Sequence, residues 1–134
     1  RLCMANAMQD AGLRPDGIDC ISAHATGTPK NDIAETTAIK QVLGERARQI
    51  PVHAIKSMTG HMIAASGAAE AVAAAMTICK GTIPPTTNLQ TPDPHCDLDY
   101  VPGLARPFAG RTVLSNSFGF AGQNASLIFG RYDG

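Results

Sequence analysis

The spacing of apolar positions changes character several times along the chain. Leu2, Ala5, Met8 and Leu13 mark one face of an opening helix over 1–12, closed by Gly12. A mainly apolar run over 18–23 predicts a short strand ending at His24. A polar loop, 24–32, leads to a second helix carrying Ile33, Ala34, Thr37, Ala38, Gln41 and Val42, started by Asn31 or Asp32 and ended near Gly44. Charged residues at 45–49 make a surface turn. Pro51 opens a second apolar strand, 52–55, followed by a polar turn over 56–60. A third helix is expected from His61 to about Lys80. Between Met62 and Ile78 its only charge is Glu70, and Ala, Gly and Ser crowd every face, the pattern of a buried helix. It is too short, and too interrupted by Ser66, Gly67 and Glu70, to be read as a membrane span. The proline-containing stretch 81–94 reads as a loop, 98–101 as a strand and 102–110 as a turn. The runs 112–117 and 124–129 form a hairpin around the glycine-containing turn 118–122.

Strands alternating with helices predict an α/β fold with a mixed, mainly parallel sheet covered on both faces. Ligands of such sheets bind outside the carboxyl ends of the strands. Three chemistry-bearing segments each follow a strand: His24, residues 56–61, and residues 118–122. If those strands run the same way, the segments meet at one edge.

Composition narrows the classes. With a formal net charge of +0, the chain offers no electrostatic case for nucleic acid or an anionic membrane. Its four cysteines, Cys3, Cys20, Cys79 and Cys96, form no C-x-x-C pair, which suits a reduced, cytoplasmic protein. Cys79, His95 and Cys96 lack the paired spacing of a structural zinc site. The opening at Arg1, already inside a helical pattern, is that of a piece of something longer.

The three segments supply two imidazoles (His24, His61), one ammonium (Lys56) and a turn with backbone N–H groups. That kit suits stabilisation of an enolate or oxyanion rather than nucleophilic attack. A helix N-terminus under His61 would keep its ring neutral. Glu35 or Asp32 is the expected partner of Lys56. Ser57, Thr26 and Thr28 show no triad logic, and no cysteine sits at a strand-to-helix turn.

Residues 24–32, HATGTPKND, resemble the H-G-T-G-T loop of β-ketoacyl-acyl-carrier-protein synthases. Residues 56–61, KSMTGH, are similar to their K-S-x-x-G-H motif, and 116–124, NSFGFAGQN, to their closing N-S-F-G-F-G-G-x-N loop. The three motifs fall in family order over nearly the whole chain. The resemblance implies that residues 1–134 are the C-terminal half of a thiolase-like layered α/β/α/β/α fold, and that the half bearing the cysteine nucleophile lies elsewhere.

The activity it implies is decarboxylative Claisen condensation of acyl and malonyl thioesters, in fatty-acid or type II polyketide synthesis, without a cofactor or metal. His24 and His61 would bind the malonyl thioester carbonyl and the enolate, with Lys56 supporting His61. The Phe120 N–H, within Phe118, Gly119 and Phe120, would serve the oxyanion, and the Phe120 ring the acyl gate. Thr26, Thr28, Asp32, Glu35 and Asn124 would support them. Implied partners are the amino-terminal half, an acyl carrier protein, and a second subunit in a homodimer or ketosynthase heterodimer. The alternative is a non-catalytic chain-length-factor subunit. A thiolase is disfavoured, since 118–122 holds no cysteine. Two departures stand out: Ala25 and Ala121 replace glycines of the motifs, and Ala25 is expected to hold its backbone at negative φ.

Overall fold

The computed structural model describes all 134 residues. Its elements are α1 (Leu2–Asp10), β1 (Cys20–Ser22), α2 (Asn31–Leu43), β2 (Val52–His53), α3 (Lys56–Thr59), α4 (Ser66–Lys80), β3 (Thr82–Ile83), β4 (Arg106–Pro107), β5 (Thr112–Phe118) and β6 (Asn124–Gly130). The main sheet has the order β2-β1-β5-β6. β1 pairs parallel with both β2 and β5, and β6 returns antiparallel beside β5. This is the expected α/β architecture with a closing hairpin. Because β1, β2 and β5 run the same way, His24, Lys56 and Phe118 all leave the sheet at one edge.

Side chains alternate across the sheet. Ile21 and Leu114 join Met4, Met8, Ile39 and Leu43 in the core under α1 and α2. Cys20 and Val113 join Ala74, Ile83 and Val101 in a second core on the α4 side. Gly67 explains how closely α4 lies: a Cβ there would stand 3.0 Å from Ser117 Oγ on β5.

Several expectations are corrected. The buried face of α1 is Met4 and Met8, while Leu2 is exposed. The buried stripe of α2 is Glu35, Thr36, Ile39 and Leu43; Thr37 and Gln41 face solvent. Counting apolar residues alone misplaced that stripe, because two of its members are polar and hydrogen-bonded. Neither Asn31 nor Asp32 caps α2, whose N-cap is Lys30. Asp32 Oδ1 instead accepts from the Gly27 N–H at 3.2 Å.

Residues 56–59 form a single helical turn, α3, ended by Gly60 at φ 70°. His61 does not open the following helix. A 3₁₀ turn, Ile63–Ala65, intervenes and α4 begins at Ser66. α4 is not buried all round either. Ser66, Glu70, Ala74 and Thr77 form one buried stripe, whereas Val72 and Met76 are 64% and 47% exposed. Its outer faces carry apolar residues that no other element of this chain covers. By length and composition alone Ile63–Lys80 is apolar enough to cross a membrane, but it opens with a 3₁₀ turn whose Ile63 sits at φ 51° and carries a buried ion pair to the sheet edge.

The stretch 98–101 is no strand. Asp99 makes one parallel bridge to Pro51, and its carbonyl accepts from Val52 N at 2.7 Å. β3 and β4, hidden in the stretches read as loop and turn, form a small antiparallel ribbon.

Candidate active site

His24 follows β1 and is 6% exposed. Its backbone is fixed from below by α2. Glu35 Oε1 accepts from His24 N and Oε2 from Ala25 N, each at 2.9 Å, and Asn116 Nδ2 on β5 donates to Oε1 at 3.0 Å. Ser126 Oγ on β6 in turn donates to Asn116 Oδ1 at 2.7 Å. A buried carboxylate thereby clamps the loop to sheet and helix together. Burial raises the Glu35 carboxyl above the ordinary carboxylate range, against the N–H groups that favour its charged form.

Glu35 is thus not the partner of Lys56, and neither is Asp32. Lys56 is buried at the tip of β2 and pairs with Glu70 on α4; their side chains are 5% and 1% exposed. Ser117 Oγ donates to the other Glu70 oxygen at 3.3 Å. Burial raises the Glu70 carboxyl, against the pull of the Lys56 ammonium. Nor does Lys56 reach His61 among its hydrogen bonds. Its Nζ lies 3.4 Å from His24 Nδ1. An ammonium can only donate, so it makes Nδ1 the acceptor and leaves the ring proton on Nε2. Burial first, then the Lys56 charge, lowers the His24 imidazole to about 4, which keeps it neutral at physiological pH.

The His61 ring lies edge-on to that of His24, with centroids 5.7 Å apart and planes at 86°. Phe118, at the end of β5, packs its ring 5.4 Å from His24. Beyond it, Gly119 N donates to Gln123 O at 2.6 Å, so that N–H is spent closing the turn. The Phe120 side chain is 100% exposed. Thr26 and Thr28 share a hydroxyl hydrogen bond of 2.9 Å at the loop surface. Asn124 is exposed at the hairpin mouth, opposite Phe118; the clamp on Glu35 is made by Asn116. The expectation for Ala25 is overturned: it sits at φ 37°, and Ala121 at 61°, so both alanines adopt the left-handed backbone that glycine takes without cost.

Reasoning from sequence missed Glu70 as a site residue, although it was the only charge in an apolar helix, which is itself a signal that a partner waits. Asn116 lay inside a recognised motif. A cavity of about 390 Å³ opens behind the loop, lined by Ala25, Thr28, Ile33, Leu89, Pro92 and Cys96; none of His24, Lys56 and His61 lines it. Cys20 is a core residue whose thiol burial pushes up to about 12.

The family described as Beta-ketoacyl synthase, C-terminal domain, matches residues 1–90. The chain belongs to the β-ketoacyl synthase family. This ketosynthase-family chain is 53% identical over 129 residues to 3-oxoacyl-[acyl-carrier-protein] synthase 2 of Synechocystis sp., covering 96% of its own length and 31% of that protein. It is 49% identical to the synthase of the same name from Coxiella burnetii, with the same coverages. It therefore spans just under a third of these relatives. Among solved structures, a type II PKS acyl-carrier protein in complex with its ketosynthase bound to the hexaketide gives a TM-score of 0.93 at 45% identity, over 97% of this chain and 33% of that one. The ishigamide ketosynthase/chain length factor gives 0.89 at 46% identity, over 93% and 30%. The fold of the β-ketoacyl synthase chain is thus the thiolase-like α/β fold expected.

Proposed function

We propose that residues 1–134 are the C-terminal part of a β-ketoacyl-acyl-carrier-protein synthase, which performs decarboxylative condensation when joined to an amino-terminal part bearing a cysteine nucleophile. One observation carries this reading. The His24 and His61 imidazoles meet edge to face at the sheet edge, and a Glu70-paired ammonium stands behind His24.

In this mechanism the malonyl thioester carbonyl sits between His24 and His61. His24 Nε2–H donates to it, and His61 gives the second hydrogen bond. The bond to the malonyl carboxylate breaks, carbon dioxide leaves, and the electron pair becomes an enolate whose oxygen the imidazoles hold. The enolate carbon then attacks the acyl thioester on the cysteine. The Phe120 N–H receives the oxyanion, which collapses to expel the thiolate. A neutral His24 is a hydrogen-bond donor rather than a spectator cation, as its environment requires. Thr26 and Thr28 order the loop, Asp32 and Glu35 hold its backbone, and Asn124 closes the hairpin that aims Phe118 to Phe120 at the site. No cofactor or metal enters this scheme.

The exposed apolar face of α4, with Val72 and Met76, and Leu127 on β6, is the surface the amino-terminal part would cover. The acyl donors come on an acyl carrier protein, the partner in the polyketide-synthase complex named above, and the assembly is a homodimer or a ketosynthase heterodimer acting in the cytoplasm. Replacing His24 or His61 with Ala in the complete synthase abolishes malonyl decarboxylation; wild-type rates in both variants end this reading. A chain-length-factor role is favoured only by the name of one structural relative. A residue other than Cys at the nucleophile position of the amino-terminal part would establish it.

A further inference from the structure

His61 stands in an irregular link, five residues before Ser66 opens α4. Its Nδ1 has two neighbours. Ile63 N donates to it at 3.0 Å, and Ser66 Oγ lies 3.1 Å away. The backbone N–H is a fixed donor, so Nδ1 carries a lone pair and the proton sits on Nε2. Met62 N donates to Ser66 Oγ at 2.9 Å. That hydroxyl has one proton to give, and Nδ1, already an acceptor, lies within its reach. The groups therefore form one directed relay: Met62 N–H to Ser66 Oγ, Ser66 O–H to His61 Nδ1, with Ile63 N–H as the second donor. The ring is exposed but Ser66 is 4% exposed, so an exposed imidazole is anchored through a buried hydroxyl.

Resting on the condensing-enzyme reading, we propose that Ser66 is a positioning residue for His61, which fixes ring orientation and holds the tautomer that points Nε2–H at the thioester oxygen. His24 receives the same service from Lys56. The device is different at each ring: a charged donor paired to Glu70 behind one, a neutral hydroxyl on the first residue of α4 behind the other. Ser66 and Glu70 are four residues apart and share the buried stripe, so one helix face orients both imidazoles. A hydroxyl leaves His61 without the electrostatic cost that a second ammonium would impose on it.

The test uses the complete synthase. ¹⁵N-edited spectra of the histidine rings report the state of Nδ1, and malonyl decarboxylation reports the rate. In the wild type, His61 is the Nε2–H tautomer with Nδ1 shifted upfield by two incoming hydrogen bonds. Ser66→Ala removes one, so the Nδ1 resonance moves downfield, kcat falls about 2- to 10-fold and KM stays within twofold, as befits a lost hydrogen bond of ordinary net strength. Ser66→Thr keeps the hydroxyl and restores both. A wild-type resonance and kcat in Ser66→Ala overturn the proposal, as does a Ser66→Thr enzyme no better than the Ala variant. His24→Ala and His61→Ala separate the two claims: if both leave decarboxylation intact, the reading of the whole site fails; if His61→Ala abolishes decarboxylation while Ser66→Ala is silent, only the role of Ser66 fails.

Discussion

Glu70→Gln is the most telling single change. Glu70 and Lys56 are 1% and 5% exposed at their side chains and in direct contact. At a contact distance of about 3 Å and an effective dielectric of about 20, the gross attraction is roughly 5 kcal/mol. Most of it offsets the desolvation of two buried charges, so the pair contributes little net stability. Removing one partner is different, because the ammonium stays buried with no anion, a cost of about 3–5 kcal/mol. The Gln variant is nearly isosteric, so packing is preserved and the charge alone is tested. A donor amide also replaces one of the two oxygens that face Lys56 Nζ and Ser117 Oγ. Urea unfolding of the complete synthase should show the midpoint falling at unchanged slope. The double variant Lys56→Met with Glu70→Leu should recover most of that stability while lacking decarboxylase activity. A Glu70→Gln enzyme within about 0.5 kcal/mol of wild type would refute the argument, and so would a double variant no more stable than the single one.

Other outcomes follow from the same geometry. Burial lowers His53 to about 4, and burial with Lys56 lowers His24 to about 4, both below the ordinary 6.5. At these two histidines the unfolded chain binds more protons between pH 6.5 and 4, so their contribution to stability is full above 6.5 and is lost as pH falls toward 4. Melting temperature followed against pH should show this slope, and His53→Gln should flatten it; a slope identical in the variant would remove His53 as a cause. Ala25→Gly and Ala121→Gly relieve left-handed alanines, worth about 1–2 kcal/mol each, against a loss of about 0.4–1 to the freer unfolded chain. A net gain of about 0.5 kcal/mol in urea unfolding is expected, and destabilisation by either would count against strain there. Gly67→Val drives a side chain into Ser117 on β5 and should cost about 1–3 kcal/mol, read by the same unfolding curves. The isolated segment 1–134 exposes Val72, Met76, Leu127 and Phe120 and should bind a hydrophobic dye or self-associate; a monomeric, cooperatively melting segment would contradict that.

The sheet was readable because 18–23 and 52–55 are short, mainly apolar runs and 112–117 is rich in strand-forming residues, each followed by a turn-forming segment. That was enough to converge His24, Lys56 and Phe118 at one edge. What failed was partner assignment. Glu35 was paired with Lys56 on charge, yet its acceptors are filled by two backbone N–H groups and Asn116, contacts that leave no mark in a pattern of charges. Glu70 was the only acid in its helix, and it reaches Lys56 only once α4 is laid on β5, a distance fixed by Gly67 rather than by local propensity. The start of α4 was misplaced because Ile63 takes φ 51°, a conformation that β-branched residues seldom adopt and no periodicity foretells. α4 was read as buried throughout because its residues are small and apolar on every side, a pattern that does not show which face the sheet will cover.

Ser66 and Glu70 lie one turn apart on α4, and through them the helix grips His61 with one and Lys56 with the other. A slip of that helix along its axis, or a twist about it, would carry both grips in step, so the two halves of the proposed site drift together or not at all. Whatever molecule leans on the bare outer side of α4 therefore has its hand on a single tuning peg.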